Sequence, residues 1–263
     1  AIIRGSINNN AITGKAIVGG IIGGGDSTTL IDCENYGTIT ASGMYIESST
    51  AYSYIGGLAG KCNTITNGKN DVDIFGTSER VGGLAGYVIG SITNSQNNGN
   101  ITGKNQTGGL AGYIGGAITG SNSYGEIIGE KYTGGLVGYF NGSKIDESTN
   151  AGVVSGDDYT GGLTGYSYNS LEITASANNV NVTGDNYTGG YIGYARTTAT
   201  IRNAVNNNTI TGKAYVGGIV GYGVSTTLHY CENYGEINST ATITESDVAY
   251  SYVGGLAGYC ASV

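Results

Sequence analysis

Apolar positions along the chain recur in three short clusters separated by glycine, asparagine and serine, and no stretch keeps a helical period. The first cluster is GG-[LIY]-x-G, usually followed by Tyr, with first glycines at Gly19, Gly56, Gly82, Gly108, Gly134, Gly161, Gly189, Gly217 and Gly254. Their spacings are 37, 26, 26, 26, 27, 28, 28 and 37. About ten residues on, an apolar residue is followed three later by a small one and two later again by Asn, as in Ile92-Ser95-Asn97 and Ile145-Ser148-Asn150. A third cluster places an apolar residue before Thr and Gly, as in Ile101-Thr102-Gly103 and Ile210-Thr211-Gly212. Three short strands per unit, each closed by turn residues, predict an all-β chain.

Such a unit cannot bury its own apolar face, so successive units must stack strand on strand. The expected fold is a single β-solenoid over 1–263, a three-faced β-helix of 26–28 residues per coil. Nine or ten coils at the strand spacing of about 4.8 Å would make a rod roughly 45 Å long. Alternation along the strand puts Leu110, Gly112 and Ile114 inward and Gly109, Ala111 and Tyr113 outward. Stacking turns recurring residues into ladders. Asn8, Asn35, Asn70, Asn97, Asn150, Asn178, Asn206 and Asn233 form one structural ladder, with Ser123 as the exception. Tyr87, Tyr113, Tyr139, Tyr166, Tyr194, Tyr222 and Tyr259 form a second, directed outward. A further column, Tyr132, Tyr159, Tyr187, Tyr215 and Tyr252, is interrupted by Arg80 and Gln106.

A longer period overlies the short one. Residues 1–65 align without a gap to 199–263 with 39 identities, which makes 1–198 a seven-coil super-repeat that restarts at 199. The long 37-residue coils are 19–55 and 217–253, and the chain reads as a segment of a longer tandem array. Their extra residues, around Met44–Ser53 and Thr242–Ser251, are the expected protrusions.

Composition narrows the function. Glycine makes up 50 of the 263 residues, proline and tryptophan are absent, and the net charge of -8 rests on 30 charged side chains. That balance gives nucleic acid no electrostatic hold, and no apolar run reaches the roughly 20 residues a membrane span needs. One histidine, His229, and four cysteines leave no constellation for acid–base catalysis, no cofactor site and no metal site. The acidic pairs Asp71/Asp73 and Asp157/Asp158 lack a calcium-loop pattern and read as solvated turns. Cys33 and Cys62 are 29 apart, as are Cys231 and Cys260, and both columns are expected to face inward. Two disulfides stapling the long coils are the expectation, and they would suit an extracellular or cell-surface location; the alternative is four buried reduced thiols in a reducing compartment.

The segments Gly83-Leu84-Ala85-Gly86, Gly109-Leu110-Ala111-Gly112, Gly135-Leu136-Val137-Gly138 and Gly162-Leu163-Thr164-Gly165 resemble the GLUG motif. The resemblance extends over nearly the whole chain, with departures at Tyr191, Ile21 and Ile219 for Leu and at Lys61 and Gly24 for Tyr. It implies microbial surface and adhesin-like proteins or non-catalytic repeat regions, and supplies no catalytic residue. The resulting expectation is a non-enzymatic stalk, fibre or adhesin segment that associates end to end or with other surface proteins. The alternative is a carbohydrate-binding module that holds glycans on the tyrosine ladder or the two long loops. A third role for the tyrosines is to cover glycine-rich backbone.

Overall fold

The computed structural model describes residues 1–47, 50–77, 79–240, 243–245 and 248–261, and contains no helix among them. The coils stack in parallel, each strand pairing with its counterpart one coil away. The Gly-Gly segments form a ladder of nine strands, from Ile17–Gly19 through Tyr54–Gly56 and Arg80–Gly82 to Tyr252–Gly254. Eight inter-strand steps of about 4.8 Å give this ladder a length of about 38 Å. The Ile-Thr-Gly segments form a second nine-stranded ladder, Ile12–Gly14 to Ile237–Ser239. Between them run the tyrosine-bearing strands, such as Ala85–Val88, and the strands before the small-residue column, such as Ile92–Thr93. These two runs fuse where Ile192–Arg202 and Val220–His229 are long enough to belong to both.

The glycine motif follows from backbone crowding. A Cβ on Gly82 would lie 2.2 Å from Ala85 O and 2.5 Å from Ala111 Cα one coil on, and one on Gly83 would lie 2.2 Å from Gly109 O. At Gly86 it would strike Ile55 N of the preceding coil at 2.3 Å. The chain therefore needs glycine at all three places because backbone meets backbone there.

Two apolar columns run the length of the rod. One gathers Leu84, Leu110, Leu136 and Leu163 with Ile65, Ile92, Ile118 and Ile145; the other joins Ile39, Ile74, Ile101 and Ile127 with Val18, Ile55 and Val81. Leu110 and Ile114 point inward as expected, but Ala111 is fully buried and belongs to the same core. The reason is a bend at the start of the strand. Leu110 N and Ala111 N both donate to Leu136 O, at 2.8 and 3.1 Å, so two successive residues turn the same way and the alternation resumes only at Tyr113.

The extra residues of the long coils form short antiparallel hairpins, Tyr45–Glu47 with Thr50–Tyr52 and Ile243–Glu245 with Val248–Tyr250. Of the loops Met44–Ser53 and Thr242–Ser251, where specific contacts are expected, Ser48, Ser49, Thr242, Ser246 and Asp247 lie outside the described residues.

Candidate functional site

The asparagine column is a chain of side-chain amides. Asn8 Nδ2 donates to Asn35 Oδ1, Asn35 to Asn70 and Asn70 to Asn97, each at 2.8 Å. Asn150 donates to Asn178 at 2.9 Å and Asn206 to Asn233 at 2.7 Å. Each amide also caps its own turn by donating to the carbonyl two residues on, as Asn97 does to Gly99 O at 2.8 Å. The ladder breaks at Ser123, whose buried Oγ has no partner. It breaks again between Asn178 and Asn206, where the sheet also divides into seven-stranded and two-stranded parts. Tyr191 stands there at the usual leucine position, 1 % exposed, its hydroxyl donating to Val205 O at 3.2 Å. Where a Cβ on Gly57, Gly83, Gly135 or Gly162 would meet the side-chain amide of the ladder asparagine, one on Gly190 would meet Gly218 O and Ile210 instead of Asn206.

A serine ladder runs beside it. Ser121 Oγ, Ser148 Oγ and Ser176 Oγ each accept the backbone N–H of the serine one coil before, at 3.1 Å, and donate to the carbonyl two residues back. The preceding residue is left-handed in coil after coil, at Asn67, Asn94, Gly120, Glu147, Ala175 and Asn203. The small residues were legible in the sequence but this corner was not, although Asn or Gly at four of these six sites is a signal for it.

The four cysteines are free in this structure, and the expected pairs Cys33–Cys62 and Cys231–Cys260 are not seen in it. Cys33 takes a place in the serine column and directs Sγ at Ile31 O and Ile3 O, at 3.4 and 3.6 Å. Cys231 does the same with His229 O and Ile201 O. Cys62 pairs instead with Val88 in the column after the tyrosines. In its coil, Leu58 and Ile65 fill the space out to Gly68, which continues the column of Cys33. Burial pushes the Cys62 thiol up to about 12.

The tyrosines form two interlocked ladders. In the first, ring centroids follow one another from Tyr87 to Tyr259 at 4.4, 5.5, 5.0, 5.3, 4.8 and 4.8 Å, with planes within 25° of parallel. In the second, Tyr132, Tyr159, Tyr187, Tyr215 and Tyr252 stack at 4.7–5.1 Å. Each ring of the second edges onto the first, as Tyr187 does onto Tyr194 and Tyr222 at 5.4 and 5.8 Å. Burial and neighbouring phenols push Tyr159 and Tyr187 up to about 12. Most of these side chains are half-buried, Tyr215 being buried and Tyr252 exposed, and stacking covers the ring faces within each column, so what they turn to solvent is edges and hydroxyls. A sugar stacking on an aromatic side chain needs a face. This arrangement makes the column Tyr87 to Tyr259 a packing surface between coils before anything else.

Three of the four acidic side chains hold partners within or between coils. Asp71 pairs with Lys69 at 2.5 Å, Asp73 accepts Asn100 N at 2.8 Å, and Asp158 accepts the Asn186 amide at 3.0 Å. Among the described residues no three His, Cys, Asp or Glu side chains come together to hold a metal ion.

The family model described as the GLUG motif matches residues 77–102, one whole coil of this repeat. No curated protein and no solved structure matches the chain.

Proposed function

We propose that this chain, a repeat-type β-solenoid in which one coil at 77–102 matches the GLUG motif, is a non-enzymatic rod segment of an extracellular or cell-surface protein, serving as stalk, fibre or adhesin shaft. The observation that carries this reading is where the polar and aromatic side chains go. Asn, Ser and Tyr columns are used up in bonds from one coil to the next, and these add to parallel backbone pairing through all nine strands of the Gly-Gly ladder. Side chains placed this way resist axial stretching and bending, which is what a projecting shaft requires. The seven-coil super-repeat fits a shaft lengthened by whole modules, with end-to-end self-association or attachment to other surface proteins as its partners.

Electron microscopy of the native material tests this. Slender rods or filaments with an axial period near seven coils, roughly 34 Å at the strand spacing, are expected. Compact particles with no rod-like projection would overturn the reading. The glycan alternative, applied to the ladder as a whole, loses its main support because stacking covers the ring faces.

A further inference from the structure

The second tyrosine column is interrupted at one place, and the interruption is a built trough. Arg80 replaces one ring and largely fills its place: its guanidinium lies 5.2 Å over Tyr54 and Tyr87 and 5.3 Å over Tyr113. Gln106, in the next coil, does not. Where Tyr132 edges onto Tyr139 and Tyr166 at 5.9 and 5.3 Å, Gln106 has no ring to set against Tyr113 and Tyr139. The gap is a cavity of about 390 Å³ lined by Arg80, Gln106, Tyr113, Tyr139, Asn141 and Tyr168. That size lies within the usual range for small-molecule sites.

The lining is rich in donors and contains no carboxylate. Arg80 Nε donates to Gln106 Oε1 at 2.6 Å and Nη1 to Tyr54 Oη at 3.2 Å, which leaves Nη2 and the Gln106 amide nitrogen without partners among the described residues. Asn141 donates to Tyr113 Oη at 2.9 Å, fixing one wall. Beyond Tyr168 lies Arg196, 4.2 Å from that ring. Lys61, Lys69, Lys104, Lys144, Arg202 and Lys213 each hold a carboxylate, whereas Arg80 and Arg196 hold none among the described residues. The Arg80 guanidinium, with no carboxylate partner among the described residues on a chain of net charge -8, is a local attraction for an anion. The surrounding amides and phenols suit ring hydroxyls, and the missing side chain leaves room for a ring.

We infer that this trough binds an acidic sugar unit of an anionic glycan, its carboxylate or sulfate on Arg80 and its hydroxyls on Gln106, Asn141 and the phenols. The site is separate from the mechanical role and stands whether or not the rod forms filaments. Calorimetric titration of the whole chain with trigalacturonate, a sulfated galactose trimer and the neutral methyl ester of trigalacturonate tests it. Saturable binding of an acidic trimer is expected, at least tenfold tighter than the ester, and the preferred trimer identifies the anionic group. Arg80→Gln weakens it at least tenfold. Gln106→Tyr supplies the missing ring and abolishes binding without unfolding the coil, because Tyr132, Tyr159 and Tyr187 share the left-handed φ of Gln106, 59–61° against 51°. Failure of both acidic trimers to bind, ester binding equal to acid, or wild-type binding by Gln106→Tyr would each overturn the assignment.

Discussion

Replacing Ser123 with Asn should repair the asparagine ladder and stabilise the middle of the rod. At present Asn97 Nδ2 donates only to Gly99 O, Asn150 Oδ1 accepts only from Gly152 N, and the Ser123 hydroxyl between them is buried without a partner. An Asn here would accept from Asn97, donate to Asn150 and cap its own turn at Gly125 O, as every other member of the column does two residues on. The space exists: a Cβ on Gly109 would lie 2.1 Å from Ser123 Oγ, much as one on Gly135 would lie 2.3 Å from Asn150 Cγ, and both positions are glycine. Three hydrogen bonds at about 1 kcal/mol each, less about 1 kcal/mol for ordering the longer side chain, leave a gain of about 2 kcal/mol. Solenoids open coil by coil, so the local reading is native-state hydrogen exchange rather than a global melt alone. Amides of the coils carrying Asn97, Ser123 and Asn150 should exchange about 30-fold more slowly, and the urea midpoint should rise. Unchanged or faster exchange in Ser123→Asn would refute the idea that amide-to-amide bonding holds neighbouring coils together.

Three further outcomes follow from the same geometry. Gly83→Ala would force a Cβ to within 2.3 Å of Asn97 Cγ and 2.2 Å of Gly109 O, and should cost more than about 3 kcal/mol, read as a lowered urea midpoint. Ala175→Gly relieves a left-handed alanine at φ 47° and should stabilise by about 0.5–1 kcal/mol after the entropy cost of glycine, read the same way. Raising the pH should unfold the rod. The Cys62 thiol and the Tyr159 and Tyr187 phenols sit at about 12 when folded, against ordinary values of 9.0 and 10.0, so their contribution is whole below about pH 9 and is lost as the pH climbs to about 12. Phenolate absorbance should rise together with loss of β-sheet circular dichroism; phenols ionising near pH 10 with the sheet intact would contradict this.

The coil was legible because its constraints are local and repeated. Gly82, Gly83 and Gly86 mark backbone contacts, Ile101 before Thr102 marks an inward residue before an outward one, and Asn97 marks a turn that caps itself. What could not be read depends on phase across a bend or on distance across the core. The burial of Ala111 follows from two N–H groups sharing Leu136 O, which alternation alone does not contain. The cysteine spacing of 29 said that the thiols recur, not that Leu58 and Ile65 would occupy the ground between their columns. The trough was half visible: Arg80 and Gln106 stood out as breaks in a tyrosine column. Its significance needed the second ladder's edge contacts, since only they define the ring-sized gap left at Gln106.

The two copies of the 65-residue segment separate what a coil determines for itself from what its neighbours add. Cys33 and Cys231 both aim at the carbonyl two residues back; Asn35 and Asn233 cap Gly37 O and Gly235 O at 3.0 and 2.9 Å; Tyr36 and Tyr234 donate to Glu34 and Glu232. These bonds persist although Cys33 and Asn35 are buried and Cys231 and Asn233 are not. They lie within three residues of chain and need no stacked partner to form. The coil-to-coil amide bonds and ring stacks join sites that the short-range bonds have already oriented, so each added coil meets a prepared surface and extends the rod at small further entropic cost. A shaft assembled this way can lengthen by repetition, and a single changed residue in one column, as at Gln106, can introduce a recognition site without altering the coil that carries it.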